Sequence, residues 1–233
     1  MTVSSKGPED LLEFCKNCAK GLSGLTDDDA CIQFVSGMLP QLISNKALFK
    51  RILEGMVADA PYLELRYATM FDSEVILYRD PFNLFSVRLF LWEPGIFDPV
   101  HDHNAWGVIG PVAGELEIVN FRRTDDGLRE GYAHLLETDR KTILPGESYH
   151  VRGSETIHKT GNPGSRITVQ VSIYGRPQAK KIRLTASTSS TTEFFPSMHQ
   201  KSENSVWPGR PCLILIFIFH DSFPSLSILD CIS

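Results

Sequence analysis

The apolar positions of this chain change their period once. Between residues 8 and 57 they recur at helical spacing. In "PEDLLEFCKNCAKGL" (8–22), Leu11, Leu12, Cys15 and Cys18 fall near one face. Pro8 opens the segment and Glu9 and Asp10 follow in the first turn, where a fixed φ and negative charge suit a helix start. "TDDDACIQFVSGMLPQLI" (26–43) repeats the signal, with Thr26 as N-cap before Asp27, Asp28 and Asp29. A third helix is expected in "NKALFKRILEGMVADAP", ended by Pro61. From Glu74 to Tyr174 the chain alternates with period two. Eight pieces read as strands: "EVILYRD", "FSVRLFLWEPG", "PVHDHNAWGVIG", "GELEIVNFRR", "EGYAHLLETD", "KTILPGESYHVRG", "TIHKTGNPG" and "RITVQVSIYGRP". Turn residues separate them, so a mainly β sandwich, jelly roll or barrel is expected. Pro94-Gly95 and Pro145-Gly146 open two similar blocks, each followed by a histidine-bearing strand, like the halves of a double Greek key.

The alternation fades from about Gln178. "TASTSSTTEFF" is Ser/Thr-rich and reads as a loop, and residues 184–233 carry no clear period. Three parts are expected: a helical segment over 1–73, a barrel over 74–183, and an irregular tail over 184–233. The apolar run "CLILIFIF" (212–219) is far shorter than the ~20 residues of a membrane-spanning helix. It is either a buried or edge strand, or part of a tail foreign to the fold, such as an altered reading frame or splice variant would append.

Composition adds limits more than it adds chemistry. A chain of 233 residues, 42% hydrophobic and 22% charged, is an ordinary globular protein. Its net charge of −5, without a Lys/Arg cluster, gives nucleic acid nothing to bind. The opening "MTVSSKGPEDLLEF" lacks the basic and apolar regions of a secretory leader. Five cysteines with no regular framework suit a reducing cytoplasm. Cys15 and Cys18, lacking a second pair and set in a helix, read as packing thiols.

The candidate chemistry lies in "PVHDHNAWGVIGPVAG" (99–114). On a strand, His101 and His103 point to one face. A lone strand histidine is usually exposed or hydrogen-bonded, but two on one face invite a third. "GESYHVRGSETIHKTGN" supplies His150 and His158 about 50 residues on. Three imidazoles would suit Fe, Zn, Cu or Ni, so the ligands alone do not name the metal.

Gly95, five residues, His101-Asp102-His103 and then Gly114 resemble the first cupin motif, G-x5-H-x-H-x3-4-E-x6-G. The second block resembles the second motif, a PG turn and a histidine followed after three residues by Asn; it selects His158 with Asn162 and leaves His150 outside. Gly107 stands where the motif glutamate would be. A cupin with three histidines and no glutamate resembles the cysteine dioxygenase family of thiol dioxygenases. "LFLWEPGIFDPVHDHNAWGVIGPVAGELE" is similar to its bacterial-type members, and the likeness covers roughly residues 74–176.

The resemblance implies a cupin double-stranded β-helix (a jelly-roll barrel) behind an N-terminal helical segment. It implies Fe(II) held by His101, His103 and His158, a small thiol of cysteine or 3-mercaptopropionate type, and O2. The product would be a sulfinic acid. Three neutral ligands leave the metal its full charge, which favours a thiolate. Tyr174 falls where the family keeps a catalytic tyrosine, and could equally be a core aromatic. Ser172 replaces the histidine that orients that tyrosine, and Gly107 stands near the cysteine that crosslinks to it in animal enzymes, so no thioether can form. Arg79 and Arg88 are the candidate carboxylate anchors. Arg88, among apolar neighbours on its strand, calls for a substrate carboxylate or an internal acid as partner. Glu147 is a minor candidate for a fourth ligand. Rival readings are a metal-dependent cupin enzyme with a non-thiol substrate, and a cupin that binds metal or ligand without turnover.

Overall fold

The computed structural model describes residues 8–57, 74–128, 132–176 and 186–187. Three helices come first: α1 (Glu9–Leu22), α2 (Asp28–Ser44) and α3 (Lys46–Val57). Helix α1 starts after Pro8, carries Glu9 and Asp10 in its first turn, and buries Leu11, Phe14, Cys15, Cys18 and Leu22. The N-cap of α2 is Asp27, not Thr26. Its carboxylate accepts from the Ala30 N–H at 2.9 Å, and a charged acceptor suits the positive end of a helix. Asn45 joins α2 to α3, accepting from the Leu48 N–H at 3.1 Å. Asp10 accepts from both Asn45 and Arg51, tying α1 to the start of α3. The expected stop at Pro61 lies outside the described residues.

Nine strands follow among the described residues: β1 (Glu74–Arg79), β2 (Phe85–Trp92), β3 (Trp106–Ala113), β4 (Leu116–Arg123), β5 (Ala133–Ile143), β6 (Tyr149–Arg152), β7 (Ile157–Gly161), β8 (Thr168–Gly175) and β9 (Ala186–Ser187). One sheet has the order β1-β2-β8-β3-β6 and the other β7-β4-β5-β9. The segment 95–101 runs beside β7 through the bridges Phe97↔Gly161 and His101↔His158. With that segment counted second after β2, the sheets read 1-8-3-6 and 2-7-4-5. This is the strand order of an eight-stranded jelly roll, the mainly β architecture expected.

Alternation divides the first sheet into two faces. Phe85, Val87, Leu89 and Leu91 of β2, with Val169, Val171 and Ile173 of β8, share one apolar cluster with residues of the three helices. Gly110 admits the backbone of the turn before β6 and the side chains of α2: a Cβ there would lie 2.6 Å from the Glu147 carbonyl oxygen and 3.1 Å from Ile43. The opposite face of β2 carries Ser86, Arg88, Phe90 and Trp92 into the barrel. There Phe90 and Trp92 meet Ile109, Leu116, Ile118 and Ile143, which close the space between the sheets.

Three features depart from the sequence pattern. Strand β5 is continuous over Ala133–Ile143, where two pieces were expected. Its exposed run Leu136–Thr142 hides the period, yet β4 pairs along nearly all of it. The register of β1 on β2 slips between Ile76 and Tyr78. Ala186 and Ser187 pair in parallel with Ala133 and His134, so the boundary drawn at residue 183 falls short of this pairing. A parallel edge contact uses backbone groups alone and needs no apolar period to announce it. Residues 188–233, with "CLILIFIF", lie outside the described residues. No helix among the described residues is long and apolar enough to cross a membrane.

Candidate metal centre

His101 ends the irregular strand 95–101 and faces His158 on β7. Their backbones exchange two hydrogen bonds, His101 N–H to His158 O at 2.8 Å and His158 N–H to His101 O at 2.9 Å. Residues opposite each other in an antiparallel pair send side chains to one face. His103 follows two residues later. The ring centroids of His101, His103 and His158 lie 4.7, 4.8 and 5.0 Å apart. One ligand atom from each residue lies within 4.8 Å of the others, with His158 buried and the other two partly buried.

The donor set and its spacing fit a metal ion. The Nε2 atoms of His103 and His158 are 2.8 Å apart. Two nitrogens bound at about 2.0–2.1 Å and set at a right angle would be about 2.9 Å apart. His101 Nδ1 lies 2.8 Å from the Pro99 carbonyl oxygen. A carbonyl only accepts, so Nδ1 carries the proton and Nε2 keeps its lone pair. The Thr160 hydroxyl lies 3.5 Å from His158 Nδ1. Burial holds His103 and His158 well below the ordinary histidine range; the neighbouring histidines act in the same direction, and Arg88 does so for His103. Both rings are therefore neutral near pH 7, the form that ligates. Burial raises the Asp98 carboxyl to about 6, with His101 and the Thr160 N–H pulling it back. Asp102 is buried as well, and among the described residues its Oδ1 accepts no hydrogen bond.

Aromatic rings hold the histidines in place. Tyr149 stacks on His158 with centroids 6.0 Å apart and donates its hydroxyl to Asn120. Tyr174 stacks on His103 at 5.4 Å. Gly107 makes that position available: a Cβ at 107 would lie 2.5 Å from the Tyr174 ring. The residue standing at the motif-glutamate position is thus the one whose missing side chain admits the phenol. Burial pushes the Tyr174 hydroxyl up to about 12, opposed by a hydrogen bond from Ser172 and by Arg88, so it stays a neutral donor. Behind Ser172, the Trp92 indole donates to Gln170 at 2.8 Å and the Gln170 amide donates to Ser172 at 2.8 Å.

The arginine Cζ of residue 88 sits 5.2 Å from the centre of the Tyr174 ring. Its Nη1 donates to Glu74 at 2.6 Å and its Nε to Ser86 at 3.1 Å. Of the two partners left open by the sequence, an internal acid is the one present. Arg79 is exposed at the end of β1, in register with Ser86. His150 is exposed and outside the histidine cluster. Glu147, also exposed, accepts from the Leu144 N–H in its turn and is not among the clustered ligands. Asn162 builds the turn after β7, donating to the carbonyls of Trp92 and Arg166.

Glu74 and Gln170 could not be recognised from the chain as parts of this neighbourhood. Only the β1–β2 and β2–β8 registers, which set Glu74 opposite Phe90 and Phe90 opposite Gln170, could have found them.

No family model matches the chain. Among solved structures, a Cupin 2 conserved barrel domain protein from Salinispora arenicola is 16% identical, with a TM-score of 0.35 over 48% of this chain and 84% of that one. The DMSP lyase DddQ from Ruegeria pomeroyi is 16% identical, with a TM-score of 0.37 over 53% of this chain and 58% of that one. An oxalate decarboxylase from Bacillus subtilis, studied for its Mn(II) centres, is 19% identical, with a TM-score of 0.34 over 46% of this chain and 26% of that one.

Proposed function

We propose that this chain is an iron-dependent dioxygenase that oxidises the sulfur of a small thiol with O2. The balance is one thiol and one O2 giving one sulfinic acid, with both oxygen atoms ending on sulfur. The reading is carried by one observation: three histidines, His101, His103 and His158, converge, no carboxylate of the described residues joins their cluster, and a phenol lies against one ring. Bound there, Fe(II) would supply the centre at which thiolate and O2 are brought together and exchange electrons. Neutral ligands leave that ion's charge undiminished, which suits an anionic sulfur ligand. The chain's own part is to orient and to exclude water. Pro99 fixes the ring of His101. Phe90, Trp92, Ile109, Leu116, Ile118 and Ile143 keep the barrel floor dry. Tyr174 holds its proton at neutral pH and offers it as a hydrogen bond to an oxygen or sulfur atom beside His103.

The test is O2 uptake by the Fe(II)-loaded protein against a panel of small thiols, with sulfinate measured by mass spectrometry. One sulfinate per O2 is expected. No uptake above the metal-free protein with any thiol would end this reading. A second reading, a metal-dependent enzyme with a non-thiol substrate, draws on Glu74 pairing with Arg88 and on Ser172 in place of an orienting histidine. A non-catalytic metal- or ligand-binding role would show bound metal without turnover. The free thiols Cys15, Cys18 and Cys31 suit the cytoplasmic location proposed with it.

A further inference from the structure

We propose that Glu74 sets the substrate class of this site: by occupying Arg88 it makes the site select a thiol whose second group is uncharged or cationic, and reject a thiol carboxylate. The proposal rests on the thiol reading above and deepens it. Arg88 is a guanidinium beside the candidate centre. It lies on the inward face of β2, 5.2 Å over the Tyr174 ring, and that ring stacks on His103. A substrate carboxylate entering this space would naturally seek it, because a guanidinium fork matches a carboxylate. Glu74 has taken that place. Its Oε1 is 2.6 Å from Arg88 Nη1, and its side chain is 3% exposed against 26% for Arg88.

Two consequences follow from that burial. The pair is neutral as a unit, so this wall offers an incoming anion little net attraction. Drawing Arg88 away would leave the Glu74 carboxylate buried and unpaired, among the most costly arrangements a protein interior can hold. Ser86 accepts from Arg88 Nε at 3.1 Å and restrains it further. An amide, hydroxyl or ammonium group on the substrate meets no such penalty.

The strand register explains why the acid arrives there. Glu74 is opposite Phe90, and Ile76 is opposite Arg88, so Glu74 and Arg88 share the inward face as diagonal neighbours. The slip after Ile76 comes one residue too late to disturb them.

The probes are 3-mercaptopropionate and 3-mercaptopropionamide, alike in shape and different in charge. They are titrated without O2 into Co(II)-loaded protein, and binding is read from thiolate-to-cobalt absorption. In the wild type the amide is expected to bind at least roughly tenfold more tightly. In Glu74→Gln, affinity for the carboxylate thiol should rise roughly tenfold to a hundredfold, the range of one charge-assisted hydrogen bond. The amide should change little. A wild type that prefers the carboxylate, or a variant that shifts both probes equally, overturns the proposal. If Glu74→Gln does not fold, the wild-type preference alone decides. If no thiol gives the absorption in either protein, the thiol reading has failed. Propionate and propionamide, followed by calorimetry on the same proteins, then test Glu74 separately: the same preference and the same gain support it, and their absence overturns it.

Discussion

Replacing Gly107 by Ala tests whether Tyr174 truly fills the space of an absent side chain. Two terms oppose each other. Alanine in a strand interior gains about 0.5–1 kcal/mol over glycine by restricting the unfolded chain. Against this, the new Cβ would sit 2.5 and 2.6 Å from two Tyr174 ring carbons and 3.0 Å from a methyl of Val151. Carbon atoms rest at about 3.5–4.0 Å, so the ring must retreat by about 1 Å. It has little room to do so, with His103 stacked on it and Arg88 over it. Overpacking of this kind costs about 1–3 kcal/mol, and at the middle of that range, about 2, a net loss of roughly 1–1.5 kcal/mol remains. For a chain of this size the midpoint of thermal unfolding should fall by roughly 2–6 °C. Metal content of the loaded protein, measured alongside, should stay near the wild-type value, because Gly107 is outside the clustered ligands. An unchanged or raised midpoint would mean that the conformational gain prevails, and Tyr174 would not be packed against residue 107.

Other expectations follow from the same contacts. On the proposed function, His103→Ala should lose bound iron and not only slow turnover; elemental analysis showing stoichiometric iron in the folded variant would refute the proposed ligand set. Tyr174→Phe should lower kcat by roughly tenfold to a thousandfold while iron content holds, as expected for a hydrogen bond strengthened in the transition state, and unchanged kinetics would leave Tyr174 a packing residue. Burial raises the Cys18 thiol from its ordinary 9.0 to about 12. Between those values the unfolded chain has lost the proton and the native chain keeps it, so stability should fall as pH rises through that window. Urea midpoints compared at pH 7.5 and 10 should show the fall, and Cys18→Ala should lessen it, Cys15, also raised by burial, keeping a share; an equal slope in both proteins would assign the alkaline loss elsewhere.

Much of this architecture could be read in the chain, for identifiable reasons. Alternation in "FSVRLFLW" put Arg88 on one face with Phe90 and Trp92, and the odd-numbered residues indeed share the apolar cluster of the helices. The pair His101 and His103 with His158 could be singled out because two motif-like blocks carry them, and the structure brings the three together. What stayed hidden depends on cross-strand register. Glu74 and Arg88 become neighbours only when the hairpin pairing is fixed. Arg79 is harder still. Strand parity sets it opposite in facing to Ile76 and Arg88, but the slip between Ile76 and Tyr78 aligns it with Ser86, on their side. The charged run of β5 disguised one strand as two, since a stretch exposed on both faces carries no apolar period.

The two-way backbone clasp between His101 and His158 also bears on how the protein comes to hold its ion. His103 and His158 are 55 residues apart in the chain. During synthesis the H-x-H pair emerges first and must wait, with two imidazoles and no third, until the second block has been made and has folded back beside it. A nascent chain holding only the first half is a weak chelator, open to whatever divalent cation is abundant. The closed barrel brings all three rings together, and an ion that binds it but not the open chain stabilises it by mass action. The amides of 95–101 and β7 would then exchange with solvent more slowly in the loaded protein than in the empty one, and those of α1 would be protected only as far as global unfolding is suppressed.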